Sequence, residues 1–393
     1  MYIFSDKVKD MKPSAIREIF KSMNDPDMIS LAAGNPSAES FPYDKMASIS
    51  QEIFEQTPVL ALQYSITEGY PKLISHVTNR LKNKFNIDTE NDEIIITSGG
   101  QQGIDLSAKV LCNEGDTVIC EKPSFIGALN AFRSYNTKLV GINIDSDGIN
   151  IEELEDALKT TPNVKLIYVI PTFQNPTGIC MSLDKRKKVL ELAEKYNVMI
   201  LEDNPYGELR FDGEDISTIK SFDKSGRVIY CSTFSKILSA GMRVGYVCGP
   251  KEIIQKIVVV KQVNDVHTNI FFQILCSRFM NEYDIDQHII GIKQIYRRKC
   301  GLMLSELDKH LSDMLDYTRP QGGLFLWATA KNGESGIEIA KRAAENKVAV
   351  VPGNTFLTNV NEFCPSFRLN YSTPSDEQII RGIERLEKTL RTK

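Results

Sequence analysis

The chain has 393 residues, of which 42% are apolar and 25% are charged, and this is the composition of ordinary globular proteins. So much apolar material excludes disorder as the default state, and the length predicts two domains, or three at most. The formal net charge of −4 argues against nucleic acids and anionic membranes as partners, because these require an excess of basic residues.

The cysteines, the histidines and the first residues indicate neither a metal site nor export. The eight cysteines include no C-x-x-C pair, and the four histidines include no H-x-x-x-H pair. No apolar run approaches the roughly 20 residues that cross a bilayer, and the start lacks the apolar core of a leader peptide. We therefore expect no metal ion, no membrane, and a cytoplasmic location.

Between residues 92 and 249, short β-rich apolar runs alternate with amphipathic stretches. This alternation is typical of helices that cover both faces of a mostly parallel sheet, and it predicts an α/β fold with seven strands. The predicted strands are residues 93–97, 117–121, 138–144, 165–170, 198–203, 228–232 and 243–249. Residues 183–196 place Val189 and Ala193 on one helical face, which predicts a crossover helix.

The last third of the chain predicts a second, smaller α+β unit. Five apolar residues recur at nearly helical spacing in a proline-free stretch and predict a long helix: Ile285, Ile289, Ile292, Tyr296 and Met303. Strands are predicted at residues 322–330, 347–356 and 366–372, and a closing helix at 375–390 begins with a serine cap. The expected division is an N-terminal arm and small-domain segment (1–45), a large domain (46–285) and a small C-terminal domain (286–393).

Two loops that follow predicted strands carry groups suited to binding a ligand. Ligands of open α/β sheets lie beyond the carboxyl ends of the strands. After the first strand, Gly99 and Gly100 allow a tight turn, and their amides with that of Gln101 begin a helix whose positive end suits a phosphate. Asn175 follows the fourth strand and precedes Pro176, which favours an extended backbone. The alternatives are a plain glycine turn and an ordinary loop.

The next two strand ends carry ionisable residues. Asp203 ends an apolar strand, with Tyr206 in the following turn, and burying such a carboxylate is costly unless a cation meets it. Lys236 follows the next strand, and a lysine loses its charge readily when it is desolvated near a cation such as Arg243. A helix cap and a surface lysine are the alternatives. Together, the four strand ends predict one shared ligand site.

A set of short motifs carries a resemblance to a known family. The motifs are "LAAGNPSAESFP", "LQYSITEGY", "TSGGQQGIDL", "QNPTG", "EDNPYGEL", "STFSKILSAGMRVGY", "YTRPQGGLFLW" and "FRLNYS". The sequence resembles the fold-type I, pyridoxal-phosphate-dependent aminotransferases of class I/II over most of its length. It is most similar to the 2-aminoadipate, kynurenine and aromatic aminotransferases, and it also resembles the effector half of MocR-type regulators.

The resemblance implies a catalytic role for each ionisable residue named above. Lys236 would hold pyridoxal 5'-phosphate covalently and then move a proton at the substrate Cα. Asp203 would keep the ring nitrogen protonated, so that the ring can accept electrons. Asn175 and Tyr206 would donate hydrogen bonds to the ring oxygen, and Phe125 would stack on the ring where the family usually has a tyrosine.

The resemblance also implies which residues bind the phosphate, the substrate and a partner. The implied phosphate ligands are Gly99, Gly100, Gln101, Thr233, Ser235 and Arg243. Arg368 would bind the substrate carboxylate near Asn175, Gly34 would leave room for the substrate, and Arg17 matches a mobile arginine of the aminoadipate-type enzymes. Tyr64 would reach the phosphate of a second subunit in a homodimer with shared active sites. His267 is expected to be a hydrogen-bonded or interface residue.

The function that the resemblance implies is transfer of an amino group from an L-amino acid to 2-oxoglutarate or a similar 2-oxo acid, by a ping-pong mechanism. A carbon-sulfur lyase with the same cofactor is an alternative, because fold and cofactor do not fix which bond breaks. A non-catalytic regulatory domain is a further alternative. We expect no winged-helix unit, because the motif "SLAAGNP" begins at residue 30.

Overall fold

Strands and helices alternate along most of the described chain, which comprises residues 25–392 together with Tyr2 and Ser5 of the computed structural model. The strands are β1 (Ile29–Ser30), β2 (Asp92–Thr97), β3 (Thr117–Lys122), β4 (Lys138–Asp145), β5 (Gly148–Ile149), β6 (Val164–Val169), β7 (Met199–Asp203), β8 (Val228–Thr233), β9 (Gly245–Pro250), β10 (Leu315–Tyr317), β11 (Phe325–Ala330), β12 (Val348–Ala349), β13 (Val351–Pro352) and β14 (Ser366–Asn370). The helices are α1 (Tyr43–Gln56), α2 (Pro58–Leu62), α3 (Pro71–Phe85), α4 (Gly100–Leu111), α5 (Ile126–Arg133), α6 (Ile151–Thr160), α7 (Leu183–Lys195), α8 (Lys251–Asn264), α9 (Ile270–Glu282), α10 (Ile285–His310), α11 (Gly336–Glu345) and α12 (Asp376–Arg391).

The main sheet has eight strands in the order β2-β9-β8-β7-β6-β3-β4-β5. Neighbouring strands from β8 to β4 are parallel, whereas β9 runs antiparallel to both β2 and β8. The predicted mostly parallel sheet is confirmed with its seven strands, and β5 adds an eighth by pairing antiparallel with β4. A strand of two residues is too short to show an alternating pattern, so the sequence could not predict it.

Helices pack against both faces of the main sheet. On one face, Leu154 of α6 and Val189 of α7 share an apolar cluster with Ile167 of β6. On the other face, Ile104 of α4 shares a second cluster with Leu166 of the same strand. Because β6 is buried on both faces, it reads as a continuous apolar run rather than an alternating one. The covered sheet gives a rigid support for the loops at its carboxyl edge.

A smaller antiparallel sheet in the order β10-β11-β14-β13 lies in the C-terminal part of the chain. The predicted long helix is α10, and all five of its predicted apolar residues are buried. The predicted serine cap is Ser375, which begins α12 in a capping box with Gln378. This cap satisfies amides that the first turn of a helix leaves without partners.

The predicted strand at residues 347–356 is the main departure from expectation. The segment is divided into β12, which pairs with β1, and β13, which pairs with β14, and it ends in a 3-10 turn over Gly353–Phe356. Val348 to Val351 are all buried, so the apolar pattern persists although the backbone changes its pairing partner within two residues.

The domain division after residues 45 and 285 stays a prediction. In the part of the chain that the structure describes, no helix combines the length and the apolar character needed to cross a membrane.

Candidate active site

One cavity of about 350 Å³ lies at the carboxyl edge of the main sheet. Parallel strands end at the same edge, so the loops after β2, β6, β7 and β8 meet there. Most of the residues predicted for the site line this cavity: Gly34, Gly100, Gln101, Phe125, Asn175, Asp203, Tyr206, Thr233, Ser235, Lys236, Arg243 and Arg368. The structure therefore brings together residues that are up to 334 positions apart in the chain, from Gly34 to Arg368.

Lys236 places its amine inside this cavity. Its Nζ donates a hydrogen bond to the carbonyl oxygen of Gly34 at 2.9 Å. Burial, together with the positive charges of Arg368 and Arg243, lowers the pKa of Lys236 to about 8. No carboxylate among the described residues opposes this shift. About a tenth of the amine is therefore uncharged and nucleophilic at pH 7, and the uncharged fraction grows as the pH rises towards 8.

Asp203 is the last residue of β7, and only 4% of it is exposed. Burial raises the pKa of its carboxyl to about 7, while a hydrogen bond from the Tyr168 hydroxyl to Oδ2, at 2.8 Å, acts in the opposite direction. No cation among the described residues pairs with this carboxylate. A positively charged group of a ligand in the cavity could therefore pair with this buried carboxylate.

Tyr168 was not predicted as a site residue. It is fully buried in β6, and its hydroxyl reaches Asp203 on the neighbouring strand β7. A tyrosine within the aliphatic run "KLIYVI" was the available signal, because a buried phenol needs a hydrogen-bond partner. The sequence could not say which residue that partner is.

Arg368 lies in β14 and is held from several sides. Its Nη1 donates to Oδ1 of Asn175 and its Nη2 donates to the carbonyl oxygen of Ala32, both at 2.8 Å. The guanidinium carbon lies over the rings of Phe325 and Phe356, at 4.1 and 4.9 Å from their centroids. Its buried Nε has no hydrogen-bond partner among the described residues. The contacts of Arg368 fix its position, and its Nε–H remains available to donate a hydrogen bond to a ligand.

The turn between β2 and α4 lies against Arg243. Gly99 has a φ of +78°, and a Cβ at this position would lie 2.3 Å from Nη2 of Arg243. Only glycine fits both this backbone conformation and this approach. The Arg243 Nη1 also donates to Oγ of Ser235, at 3.4 Å, and Ser235 in turn accepts a hydrogen bond from Thr233. Amides at the start of α4, two hydroxyls and a guanidinium therefore converge as an anion site.

Aromatic residues form the remaining walls. Phe125 lines the cavity immediately before α5, and Tyr206 packs edge-to-face on Phe325 with centroids 5.9 Å apart. Burial raises the pKa of the Tyr206 hydroxyl, which is therefore a hydrogen-bond donor near neutral pH. At Gly34 a Cβ would lie 2.8 Å from Cζ of Phe325, so a larger residue would press on this wall.

Two predicted residues in the described part of the chain, Gly99 and Tyr64, do not line the cavity. Gly99 lies in the turn behind Arg243, as described above. Tyr64 is 81% exposed and packs edge-to-face on His267, whose Nδ1 lies 2.9 Å from the carbonyl oxygen of Thr268. Arg17 falls outside the described residues.

The unmet needs of this cavity select one kind of ligand. The amine of Lys236 can react with an electrophilic carbon. The carboxylate of Asp203 can pair with a cation, and the turn beside Arg243 can bind an anion. A phosphorylated pyridine aldehyde meets all three needs at once. The fold and the site thus define the class of pyridoxal-phosphate enzymes.

Comparison with known proteins gives the family. The family model of aminotransferase class I and II matches residues 26–386, and the chain belongs to this family. Aromatic-amino-acid aminotransferase 1 of Thermococcus litoralis is 38% identical over 99% of this chain and 94% of its own length. The 2-aminoadipate transaminase of Thermus thermophilus is 34% identical over 97% of this chain and 94% of its own length.

Solved structures agree with the family. The kynurenine aminotransferase of Pyrococcus horikoshii in complex with PMP has a TM-score of 0.95 and 38% identity, and the match covers 99% of this chain and 97% of that protein. The chain is a pyridoxal-phosphate-dependent aminotransferase, as the sequence predicted.

Proposed function

We propose that this enzyme moves an amino group from an aromatic, 2-aminoadipate-like or broader range of L-amino acids to 2-oxoglutarate or a similar 2-oxo acid, by a ping-pong mechanism. The observation that carries the proposal is the position of Arg368. Arg368 lines the same cavity as Lys236, and its Nε has no hydrogen-bond partner among the described residues. An amino acid held there by its carboxylate would bring its Cα towards the amine of Lys236.

Bound pyridoxal phosphate supplies an aldehyde that takes up the amino group and a ring that withdraws electrons from the substrate Cα. Lys236 would first hold this aldehyde carbon covalently and would give it up to the incoming amino group. The freed amine would then remove the proton from Cα and deliver it to the former aldehyde carbon of the cofactor. The lowered pKa of Lys236 suits it for this task, because a base works best with a pKa near the working pH.

Asp203, Asn175 and Tyr206 would act on the ring. The carboxylate of Asp203 would hold a proton on the ring nitrogen, which makes the ring a stronger electron acceptor. The Asn175 amide and the Tyr206 hydroxyl would donate hydrogen bonds to the ring oxygen. The hydrogen bond that Arg368 donates to Oδ1 of Asn175 supports this arrangement, because it ties the ring contacts to the carboxylate site.

The anion site would bind the phosphate. Gly100 and Gln101 would contribute amides, Thr233 and Ser235 hydroxyls, and Arg243 a guanidinium. Gly99 would allow the turn to approach the phosphate closely, and Phe125 would stack on one face of the ring through its apolar surface alone.

Gly34 would leave room for the substrate beside Arg368, since any side chain there would press on Phe325. The assignment of Arg17 to a distal carboxylate stays a prediction, and so does a cytoplasmic location.

We also propose a homodimer in which Tyr64 reaches the phosphate of the second subunit. Exposed apolar side chains support this arrangement. Val59 and Leu62, which lie close to Tyr64 in the chain, are 74% and 73% exposed, and Val263 of α8 is 82% exposed. Apolar surface of this kind is costly in water and is typical of an interface between copies. Sedimentation equilibrium should give a dimer mass, and a monomer at micromolar concentration would contradict the proposal.

Two measurements test the proposed function. Amino acids are screened for production of glutamate from 2-oxoglutarate, and the holoenzyme is reduced with borohydride and digested for peptide mapping. We expect glutamate formation with at least one donor class and a cofactor label on Lys236. A label on another side chain, or no label at all, would overturn the assignment of Lys236 as the residue that binds the cofactor covalently.

A carbon-sulfur lyase remains the alternative outcome of the screen. Release of pyruvate and ammonia from cysteine conjugates, without glutamate formation from any donor, would identify it.

A further inference from the structure

A buried lysine outside the active-site cavity lies behind the turn that begins α4. Lys261 belongs to α8 and is completely buried. Its Nζ donates to Oδ1 of Asp265 at 2.6 Å and to Oε1 of Gln102 at 2.8 Å. Burying an ammonium group costs free energy even when the group is paired, so an apolar side chain would fill this space at lower cost.

The hydrogen bonds of Lys261 continue into the turn. Gln102 Oε1 also accepts a hydrogen bond from the backbone N–H of Ser98, at 2.8 Å. The second oxygen of Asp265, Oδ2, accepts from the Ser98 hydroxyl at 2.8 Å and from the Gln102 amide at 2.7 Å. Ser98 is thus tied to the two partners of Lys261 by both its amide and its hydroxyl.

The charges in this group complement one another. Burial lowers the pKa of Lys261, and Asp265 acts against this shift. Burial raises the pKa of the Asp265 carboxyl, but hydrogen bonds from Lys261, Gln102 and Ser98 outweigh that effect and the net shift is downward. An ionised carboxylate that accepts three hydrogen bonds holds its donors strongly.

Ser98 in turn fixes the path of the anion site. It immediately precedes Gly99, where there is no room for a Cβ beside Arg243, and its carbonyl oxygen accepts a hydrogen bond from Nη2 of Arg243 at 3.3 Å. A small shift of Ser98 would therefore move both the amides at the start of α4 and the guanidinium opposite them.

We propose that Lys261 is a positioning residue for cofactor phosphate binding and acts through Asp265, Gln102 and Ser98 on the turn before α4. The proposal rests on the assignment of the phosphate to this turn. Lys261 itself makes no contact with the cavity. A role in holding α8 against α4 alone would leave phosphate recognition unchanged, whereas the proposed role affects ligands that carry a phosphate.

The test compares pyridoxal 5'-phosphate with pyridoxal, which lacks the phosphate. Dissociation constants of both ligands are measured by absorbance for the full-length, cofactor-stripped chain as wild type, Lys261→Met and Lys251→Met. Lys251 is the matched control because it lies on the same helix with a side chain that is 65% exposed. We expect Lys261→Met to raise the dissociation constant of pyridoxal phosphate about tenfold. The dissociation constant of pyridoxal should stay within about twofold of the wild-type value. Lys251→Met should change neither.

Equal weakening of both ligands by Lys261→Met, or no weakening of either, would overturn the proposal. If that variant does not fold, Ser98→Ala provides the second measurement, because it removes one link and keeps the Lys261–Asp265 pair. Ser98→Ala should raise the dissociation constant of pyridoxal phosphate about threefold and leave that of pyridoxal unchanged. An equal loss of affinity for both ligands would again refute the proposal. A wild-type chain that binds the two ligands equally well would instead refute the phosphate assignment itself.

Discussion

Replacing Arg368 with lysine keeps a positive charge in the cavity but removes the planar guanidinium that is proposed to bind the substrate carboxylate. In the structure the guanidinium is held by Asn175, by the carbonyl oxygen of Ala32 and by two aromatic rings. A lysine has a single nitrogen and cannot make these contacts while it also pairs bidentately with a carboxylate.

The size of the effect follows from the bonds lost. A hydrogen bond to a charged group contributes about 1.5–3 kcal/mol, and Arg368→Lys removes one of the two expected with the carboxylate. We therefore expect kcat/KM for the amino donor to fall about ten- to hundredfold. The Asn175 side chain also loses its partner, which adds to the loss.

The assay is steady-state kinetics with each active donor and 2-oxoglutarate, together with the dissociation constant of pyridoxal phosphate. Arg385→Lys is the control, because Arg385 donates to carbonyl oxygens of Asp27 and Lys347 away from the cavity. An Arg368→Lys enzyme within about threefold of wild type would refute the reasoning. So would a loss explained wholly by weaker cofactor binding.

Three further results are expected. Lys236→Ala should abolish covalent attachment of the cofactor and lower turnover by about a thousandfold or more, measured by mass spectrometry after borohydride reduction and by donor turnover; a variant that still cycles would contradict the assignment. Attachment of the cofactor to the stripped wild-type chain should become faster as pH rises and level off above about 8, because the uncharged form of Lys236 is the nucleophile; a rate that falls with pH, followed by stopped-flow absorbance, would speak against it. Tyr168→Phe should move the acidic limb of the kcat/KM profile to higher pH. The Tyr168 hydroxyl donates a hydrogen bond that lowers the pKa of Asp203, so removing it should raise that pKa. An unmoved limb would show that Tyr168 has no influence on this carboxyl.

The sequence predicted those parts of the site that depend on strand ends. Asp203 and Lys236 each follow an apolar run, and the topology of an α/β sheet brings such positions to one edge. The cavity at that edge confirms their proximity. Here a local pattern was sufficient, because the shape of the sheet determines the distances.

Contacts between distant segments could not be predicted in this way. The two rings around Arg368 come from Phe325 and Phe356, and the 3-10 turn that carries Phe356 was predicted as a strand. Lys261 was also missed, because buried and exposed lysines look alike within a helical pattern. Its environment is determined by α4 and by the residues that follow α8, which only the folded chain brings together.

The reversed direction of β9 has a further consequence for how this protein could change. Because β9 runs against its neighbours, its beginning, and not its end, meets the edge where the others finish. The connection from β8 to β9 therefore stays at that edge and carries both Lys236 and Arg243, the proposed anchors for the two ends of the cofactor. A single exchange of residues 232–246 between related enzymes would transplant both attachment points together, whereas substrate preference, which depends on segments elsewhere, could diverge independently.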